Sequence, residues 1–154
     1  MQERFAVLSE KRRVGTLCMA LGIKRIGSKM LLVDSSVWMD HFGDAKKKSS
    51  ACIENEGILA CSILTLFEVE RRLIKMNIPK EKIDQVIQFM KTRAIIVNLN
   101  ENIVHKGVEV GIRYKLGTVD ALMYASAQEE KIKLITGDYD FHGLPEVEII
   151  GKDG

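Results

Sequence analysis

Short apolar runs alternate with segments of helical periodicity from Met30 onward. Short, nearly continuous apolar runs are typical of buried parallel strands, and we predict strands at 30–34, 57–61, 94–98, 132–136 and, at an edge, 147–150. The segments between them carry apolar residues at helical spacing and begin at capping residues, so we predict helices from Ser35, over 62–76, from Pro79, over 100–115 and over 118–130. The alternation predicts an α/β fold, a three-layer sandwich with a mostly parallel central sheet of about five strands flanked by helices.

This sandwich accounts for residues 30–150, and leaves a basic segment at 1–29 and a short tail at 151–154. Residues 1–29 carry seven Lys or Arg and two Glu, a net charge of +5 in a chain whose total is +2. Their one apolar run, 14–23, is too short to span a membrane and lacks a signal-peptide cleavage site. The segment is either a basic amphipathic helix that docks on the domain or a partner, or an upstream extension. Met30 is a second plausible start, which favours the extension.

Cysteine and histidine usage excludes several kinds of site. The chain has 3 cysteines, which leave one unpaired in any disulfide scheme, and no C-x-x-C pair. We therefore expect a reducing compartment, the cytoplasm, and no structural zinc. Three histidines, His41, His105 and His142, lack metal-binding spacing and are expected to be exposed or to cap helices. The chain also lacks G-x-S-x-G, Walker A and G-x-G-x-x-G strings, so hydrolase-elbow, P-loop and dinucleotide-binding functions are not supported.

Four acidic residues are predicted to meet at one edge of the sheet. Asp34 ends the first strand and Asp138 follows the fourth, while Glu68 and Asp120 lie in the first turns of two helices. The carboxyl ends of parallel strands and the amino ends of the helices that follow share one edge, where ligands of open α/β folds bind. The four carboxylates are therefore expected to converge.

Each of these acids also has a structural explanation when it is considered alone. Asp34 and Asp138 could cap a helix or a turn, and Asp120 could favour the helix dipole. Glu68 is harder to explain structurally, because Leu64 and Phe67 predict a buried face around it and a buried carboxylate needs a partner. Taken jointly, the convergence favours a site: clustered carboxylates need a cation, and oxygen ligands alone select Mg²⁺ or Mn²⁺. A carboxylate-bound ion can activate water and clamp a phosphate oxygen, which is the chemistry of phosphodiester hydrolysis.

At these positions the sequence resembles the PIN-domain ribonucleases, in particular the VapC-type toxins of VapBC toxin–antitoxin pairs. The resemblance covers about residues 30–150 in order and spacing. The strings that carry it are LLVDSSVW around Asp34, LTLFEV around Glu68, GTVDAL around Asp120 and LITGDYDF around Thr136, Asp138 and Asp140.

The resemblance implies a Mg²⁺- or Mn²⁺-dependent endoribonuclease that is silenced by a small antitoxin and is commonly a homodimer. Asp34 and Asp120 would be the principal metal ligands, Asp138 would complete the site directly or through water, and Glu68 would bind a second ion or orient the attacking water. The resemblance further implies supporting roles for three residues. Ser35 and Thr136 would hold the carboxylates or the scissile phosphate, and Asp140 matches a frequent acidic position that could equally be a turn residue.

Contacts to RNA are predicted less directly. Lys46, Lys47 and Lys48, in a predicted flexible loop at 46–50, and Arg71 and Arg72, beyond Glu68, could flank the acidic edge and bind phosphates, although charge runs are usually solvated faces. Two other functions stay open: a housekeeping RNA-processing PIN nuclease, and a PIN-like binding module without catalysis. A module that had lost its activity would be expected to lack one or more of the four acids, and this chain retains them all.

Overall fold

Strands and helices alternate along the chain in the computed structural model, which describes residues 30–43, 48–54 and 57–150. The five strands are β1 (Leu31–Val33), β2 (Leu59–Ser62), β3 (Ala94–Val97), β4 (Lys133–Thr136) and β5 (Val147–Ile149). The six helices are α1 (Ser35–Gly43), α2 (Lys48–Glu54), α3 (Ile63–Lys75), α4 (Lys80–Arg93), α5 (Glu101–Tyr114) and α6 (Thr118–Glu129). A 3₁₀ turn (Tyr139–Phe141) lies between β4 and β5.

All five strands join one parallel sheet in the order β3-β2-β1-β4-β5. In the register, Leu32 lies opposite Ala60 of β2 and Leu134 of β4. The chain winds from β1 outward through β2 to β3 and then returns to the other side of β1 to form β4 and β5. The direction of winding therefore reverses between β1 and β4, which leaves a crevice beyond the carboxyl ends of these two strands.

The core has two layers, one on each face of the sheet. On one face, Val33 and Ile135 pack with apolar residues of α1 to α4, including the fully buried Trp38. On the other face, Leu32 and Leu134 pack with apolar residues of α5 and α6. Successive strand residues thus serve opposite faces, and helices cover both. The predicted three-layer sandwich with a parallel five-stranded sheet, and β5 at its edge, is confirmed.

Helices α5 and α6 are held close together by two glycines. A Cβ on Gly107 would lie 2.9 Å from Leu122 Cδ2, and one on Gly111 would lie 3.2 Å from Ala121 Cβ. Both distances are shorter than ordinary van der Waals contact, so the close approach depends on the missing side chains. This packing fixes α6, the helix that carries Asp120.

Local predictions were wrong at three places. Part of the predicted loop at 46–50 is the start of α2, and Ser49 and Ser50 are buried because the helix packs Ile53 into the core. Thr118 does not cap α6; Gly117 occupies that position and makes no side-chain cap hydrogen bond. His41 is neither exposed nor a cap, since its Nδ1 lies 3.0 Å from Ser50 Oγ and its ring contacts aromatic neighbours.

Some predictions fall outside the described residues. They concern the basic segment 1–29, the tail 151–154 and the side chains of Lys46, Lys47 and Lys48. Within the described part of the chain, none of the helices has the length and apolar character needed to cross a membrane.

Candidate active site

Asp34 and Asp138 lie on the two sides of the crevice between β1 and β4. Asp34 follows the last residue of β1, and Asp138 follows Thr136, the last residue of β4, by two positions. Both strands are central enough to be paired on each side, so the backbone that carries these acids is held firmly. The position matches the place where open parallel sheets bind ligands.

The Asp34 carboxylate is buried and fixed by three hydrogen bonds. It is only 5% exposed. Its Oδ1 accepts a bond from the Ser35 backbone N–H at 2.6 Å, and its Oδ2 accepts bonds from Ser36 Oγ and Thr136 Oγ1, each at 2.7 Å. Oδ1 accepts only one of these bonds and keeps a lone pair at which an additional ligand can bind. The bonds orient the side chain and satisfy part of its charge.

Ser36 also joins the two strand ends. Its Oγ accepts a bond from the Gly137 backbone N–H at 2.8 Å. A Cβ on Gly137 would lie 3.4 Å from that same oxygen, which is an ordinary van der Waals distance. Sequence reasoning named Ser35 and missed Ser36, although a hydroxyl two residues after a site carboxylate was the available signal. Ser35 contacts Asp34 through its backbone, and Ser36 supplies the hydroxyl.

Thr136 carries the network on to Asp138. Its Oγ1 accepts a bond from the Asp138 backbone N–H at 3.0 Å while it donates to Asp34. The Asp138 Oδ1 in turn accepts from the Asp140 backbone N–H at 3.0 Å and caps the 3₁₀ turn. Asp140 is itself exposed. One threonine hydroxyl therefore sets the position of two candidate ligands.

Asp120 shows that the acids are near one another. Its half-buried carboxyl lies in the first turn of α6. Burial first, and then the negative charges of Asp138, Asp34, Glu68 and Asp140 in that order, raise its pKa from 3.8 to about 6. The negative charges of four nearby carboxylates destabilise the charged form of this carboxyl group. The predicted convergence of the four acids at one edge therefore has an electrostatic signature at Asp120.

Glu68 lies on α3, the helix that follows β2. Its side chain is partly exposed. The apolar neighbours expected to bury it differ in exposure, because Leu66 is buried but Phe67 is 56% exposed. The prediction that apolar neighbours enclose Glu68 was therefore wrong at Phe67. Arg71 and Arg72 lie one turn further along the same helix and are exposed, a position that leaves their guanidinium groups available to an anionic ligand.

The chemistry of these candidate ligands suits a hard divalent cation. All the clustered groups are carboxylate oxygens, the ligands that Mg²⁺ and Mn²⁺ prefer, and a cation would relieve the repulsion that raises the pKa of Asp120. In the residues that the structure covers, no three His, Cys, Asp or Glu side chains stand at metal-binding spacing.

Comparison with known proteins assigns the family. A family model described as the PIN domain matches residues 31–147. The chain belongs to the PIN domain family. The predicted resemblance is confirmed, and the matched range includes Asp34, Glu68, Asp120 and Asp138. No curated protein sequence matches the chain significantly.

Solved structures with the same fold include several from toxin–antitoxin systems. A toxin-antitoxin complex from Klebsiella pneumoniae is 26% identical, with a TM-score of 0.69, and the match covers 79% of this chain and 98% of that one. VapBC2 from Rickettsia felis bound to a promoter DNA fragment is 16% identical, with a TM-score of 0.65 and coverage of 78% and 98%. VapC20 from Mycobacterium tuberculosis, described as a sarcin-ricin loop cleaving toxin, is 18% identical, with a TM-score of 0.62 and coverage of 78% and 98%.

Proposed function

We propose that this PIN domain protein is a divalent-metal-dependent endoribonuclease and the toxin of a type II toxin–antitoxin system. The observation that carries the proposal is that Thr136 joins Asp34 and Asp138 at the carboxyl ends of β1 and β4. Burial first, and then the charges of these two acids, Glu68 and Asp140, raise the pKa of Asp120 to about 6. Such a concentration of like charge is costly for the fold. A bound cation would offset that cost, and the cluster would then act as a metal-binding site.

The four acids would have different roles at the metal. Asp34 and Asp120 would be the principal ligands of Mg²⁺ or Mn²⁺, and Asp138 would complete the coordination directly or through water. Glu68 would bind a second ion or orient the attacking water. When bound, the metal would lower the pKa of a water molecule and polarise a phosphate oxygen.

Hydrogen bonds prepare this arrangement before any ligand binds. The Ser36 hydroxyl from α1 and the Thr136 hydroxyl from β4 both hold the Asp34 carboxylate. Thr136 also holds the backbone of Asp138, so the two ligands keep a defined separation. Such preorganisation lowers the reorganisation needed when charge develops on the scissile phosphate. The side chain of Asp140 extends the negative field at the rim of the site.

RNA is the proposed substrate, and a small antitoxin is the proposed partner. Arg71 and Arg72 are exposed one turn beyond Glu68 and would contact phosphates near the cleaved bond. The 26% identical protein from Klebsiella pneumoniae is a toxin-antitoxin complex, which supports an antitoxin here as well. We also place the protein in the cytoplasm, where both RNA and a reducing environment for its free thiols are present.

A homodimer would widen the surface that meets RNA. Exposed apolar side chains recur every four residues on α5, at Val104, Val108 and Ile112, with exposures of 45%, 59% and 77%. A contiguous apolar stripe on a helix is typical of a protein–protein interface. It supports association with a second protein chain, either another copy or the antitoxin.

Cleavage of a mixed RNA pool tests the catalytic proposal. With Mg²⁺ or Mn²⁺ the wild type is expected to cut RNA, and EDTA or Asp34→Asn is expected to abolish cutting. Asp84→Asn is a matched control, because Asp84 is an exposed acid on α4 that pairs with Lys80 away from the site. An inert wild type, or an Asp34→Asn variant that cuts as well as the wild type, would refute the assignment.

Growth on expression tests the toxin proposal separately. Expression of the wild type without an antitoxin is expected to arrest growth, and Asp34→Asn is expected to remove the arrest. A protein that cuts RNA in solution but leaves growth unchanged would instead be a housekeeping RNA-processing nuclease.

A further inference from the structure

The 3₁₀ turn after β4 presents two aromatic rings to solvent beside the carboxylate cluster. Tyr139 is 69% exposed, and its ring stacks on that of His142 with centroids 6.0 Å apart and planes 14° from parallel. Tyrosine and histidine side chains are intermediate in burial in folded proteins, and both of these are exposed. The pair is therefore an exposed, flat aromatic surface whose role the fold does not explain.

The turn that carries these rings is held firmly on both sides. Phe141 is fully buried in the core. Asp138 caps the turn through its carboxylate, and the His142 backbone N–H donates to the Tyr139 carbonyl at 2.9 Å. The two rings are thus attached to a short, hydrogen-bonded segment with a core anchor between them. A rigid aromatic surface loses little conformational freedom when a ligand stacks on it.

Tyr139 is also directly next to a proposed metal ligand. Asp138 and Tyr139 are consecutive, so their Cα atoms are about 3.8 Å apart. The Tyr139 ring is therefore attached one residue away from a carboxylate proposed to hold the metal and the phosphate bound to it. Stacking on aromatic rings is the usual way in which proteins hold unpaired bases, and it tolerates different sequences.

We propose that Tyr139, supported by His142, is a stacking platform for an unpaired base of the RNA next to the scissile phosphate. The inference rests on the proposed ribonuclease function and adds to it a side chain that binds a base beside the cut. Removal of a stacking ring typically weakens binding by about 5- to 150-fold. The loss falls on substrate binding, because the ring takes no part in the chemical step.

Steady-state cleavage of a short single-stranded RNA tests the platform in the full chain. Tyr139→Ala is expected to raise KM at least fivefold with kcat within threefold of wild type, while Tyr139→Phe and Tyr139→Trp keep KM within threefold. Ile74→Ala, which removes another exposed apolar side chain near the end of α3, is the control and is expected to change neither constant. An active enzyme in which Tyr139→Ala leaves KM unchanged would overturn the proposal.

Fluorescence provides a second measurement that does not need cleavage. The chain has a single tryptophan, the fully buried Trp38, so Tyr139→Trp introduces the only exposed indole of the described residues. In rapid mixing with Mg²⁺ and with the four acids intact, oligoadenylate is expected to quench this indole before it is cut, and at lower concentration than oligouridylate, because the purine offers more stacking area. Inorganic polyphosphate is expected to leave it unchanged.

The two measurements separate failure of the platform from failure of the enzyme. If the wild type does not cut RNA but oligoadenylate quenches the indole, the ribonuclease proposal fails and the platform stands. If the wild type cuts RNA and the indole is unquenched, or is quenched equally by polyphosphate, the platform fails and the enzyme stands. Absence of both cleavage and quenching overturns both.

Discussion

Replacing Asp120 by asparagine should stabilise the protein in the absence of metal. Burial and four neighbouring carboxylates raise the pKa of Asp120 from the ordinary 3.8 to about 6. A difference of about two pKa units corresponds to at most about 3 kcal/mol. Because the side chain is half exposed, solvent screening reduces the expected effect to about 1 kcal/mol. Asparagine keeps the shape of the side chain and removes its charge.

The effect should depend on pH in a defined direction. Above about pH 6 the carboxylate is charged in the folded protein and the full cost is present. As the pH falls from about 6 to 3.8 the folded protein takes up a proton that the unfolded chain does not, and the cost disappears. Below about 3.8 both states are protonated at this residue, so the variant and the wild type should differ little.

Thermal unfolding in EDTA measures this difference. At pH 7.5 the Asp120→Asn variant is expected to melt about 2–4 °C above the wild type, since about 1 kcal/mol shifts Tm by that amount in a domain of this size. At pH 4 the shift should shrink toward zero. Saturating Mn²⁺ should reverse the order, because the ion stabilises the wild type by mass action and the variant lacks a ligand.

The control is Asp84→Asn, which removes an exposed carboxylate that lies 3.3 Å from Lys80 Nζ on the same helix. Exposed pairs of this kind contribute about 0–1 kcal/mol, so a small loss of stability without reversal by Mn²⁺ is expected. An Asp120→Asn variant that is less stable than the wild type at pH 7.5 in EDTA would refute the reasoning. It would show that the carboxylates do not repel one another at Asp120.

Three other changes test the supporting structure. Thr136→Val removes the hydroxyl that donates a hydrogen bond to Asp34, so the free energy of unfolding should fall by about 1–3 kcal/mol in a urea titration. Thr136→Ser keeps a hydroxyl and should retain most of the wild-type stability. Gly111→Val places a branched side chain where a Cβ already lies 3.2 Å from Ala121 Cβ, so urea titration should show a loss of about 1–3 kcal/mol, and unchanged stability would contradict close α5–α6 packing. Burial raises the pKa of the Cys61 thiol to about 12, so peptide mapping by mass spectrometry should find it unmodified by iodoacetamide at pH 8 unless the protein is unfolded.

The placement of the acids could be predicted because it depends on topology rather than on side-chain detail. Asp34 and Asp138 end parallel strands, and parallel strands present their carboxyl ends at the same edge. That rule also brings in Glu68 and Asp120 from the helices that follow. The pKa of Asp120, which responds to all three other acids, agrees with the predicted convergence. Their roles as metal ligands remain predictions.

Details that depend on rotamers and tertiary packing could not be predicted in the same way. Ser36 acts on Asp34 and Gly137 across two strands, and no local pattern specifies which of two adjacent serines points that way. The first residues of α2, 48–50, were predicted as part of a flexible loop because they are polar, yet Ile53 packs the helix into the core. Phe67 is apolar but exposed, since its position on α3 lies outside the buried face.

Cleavage as a function of free Mn²⁺, with bound Mn²⁺ read by electron paramagnetic resonance in the same samples, tests the central claim most directly. The account predicts that RNA cleavage by the wild type rises in parallel with Mn²⁺ bound at the carboxylates, and that Asp34→Asn and Asp120→Asn lose both signals together. Cleavage that persists in EDTA, or variants that lose cleavage while they bind Mn²⁺ as tightly as the wild type, would contradict it.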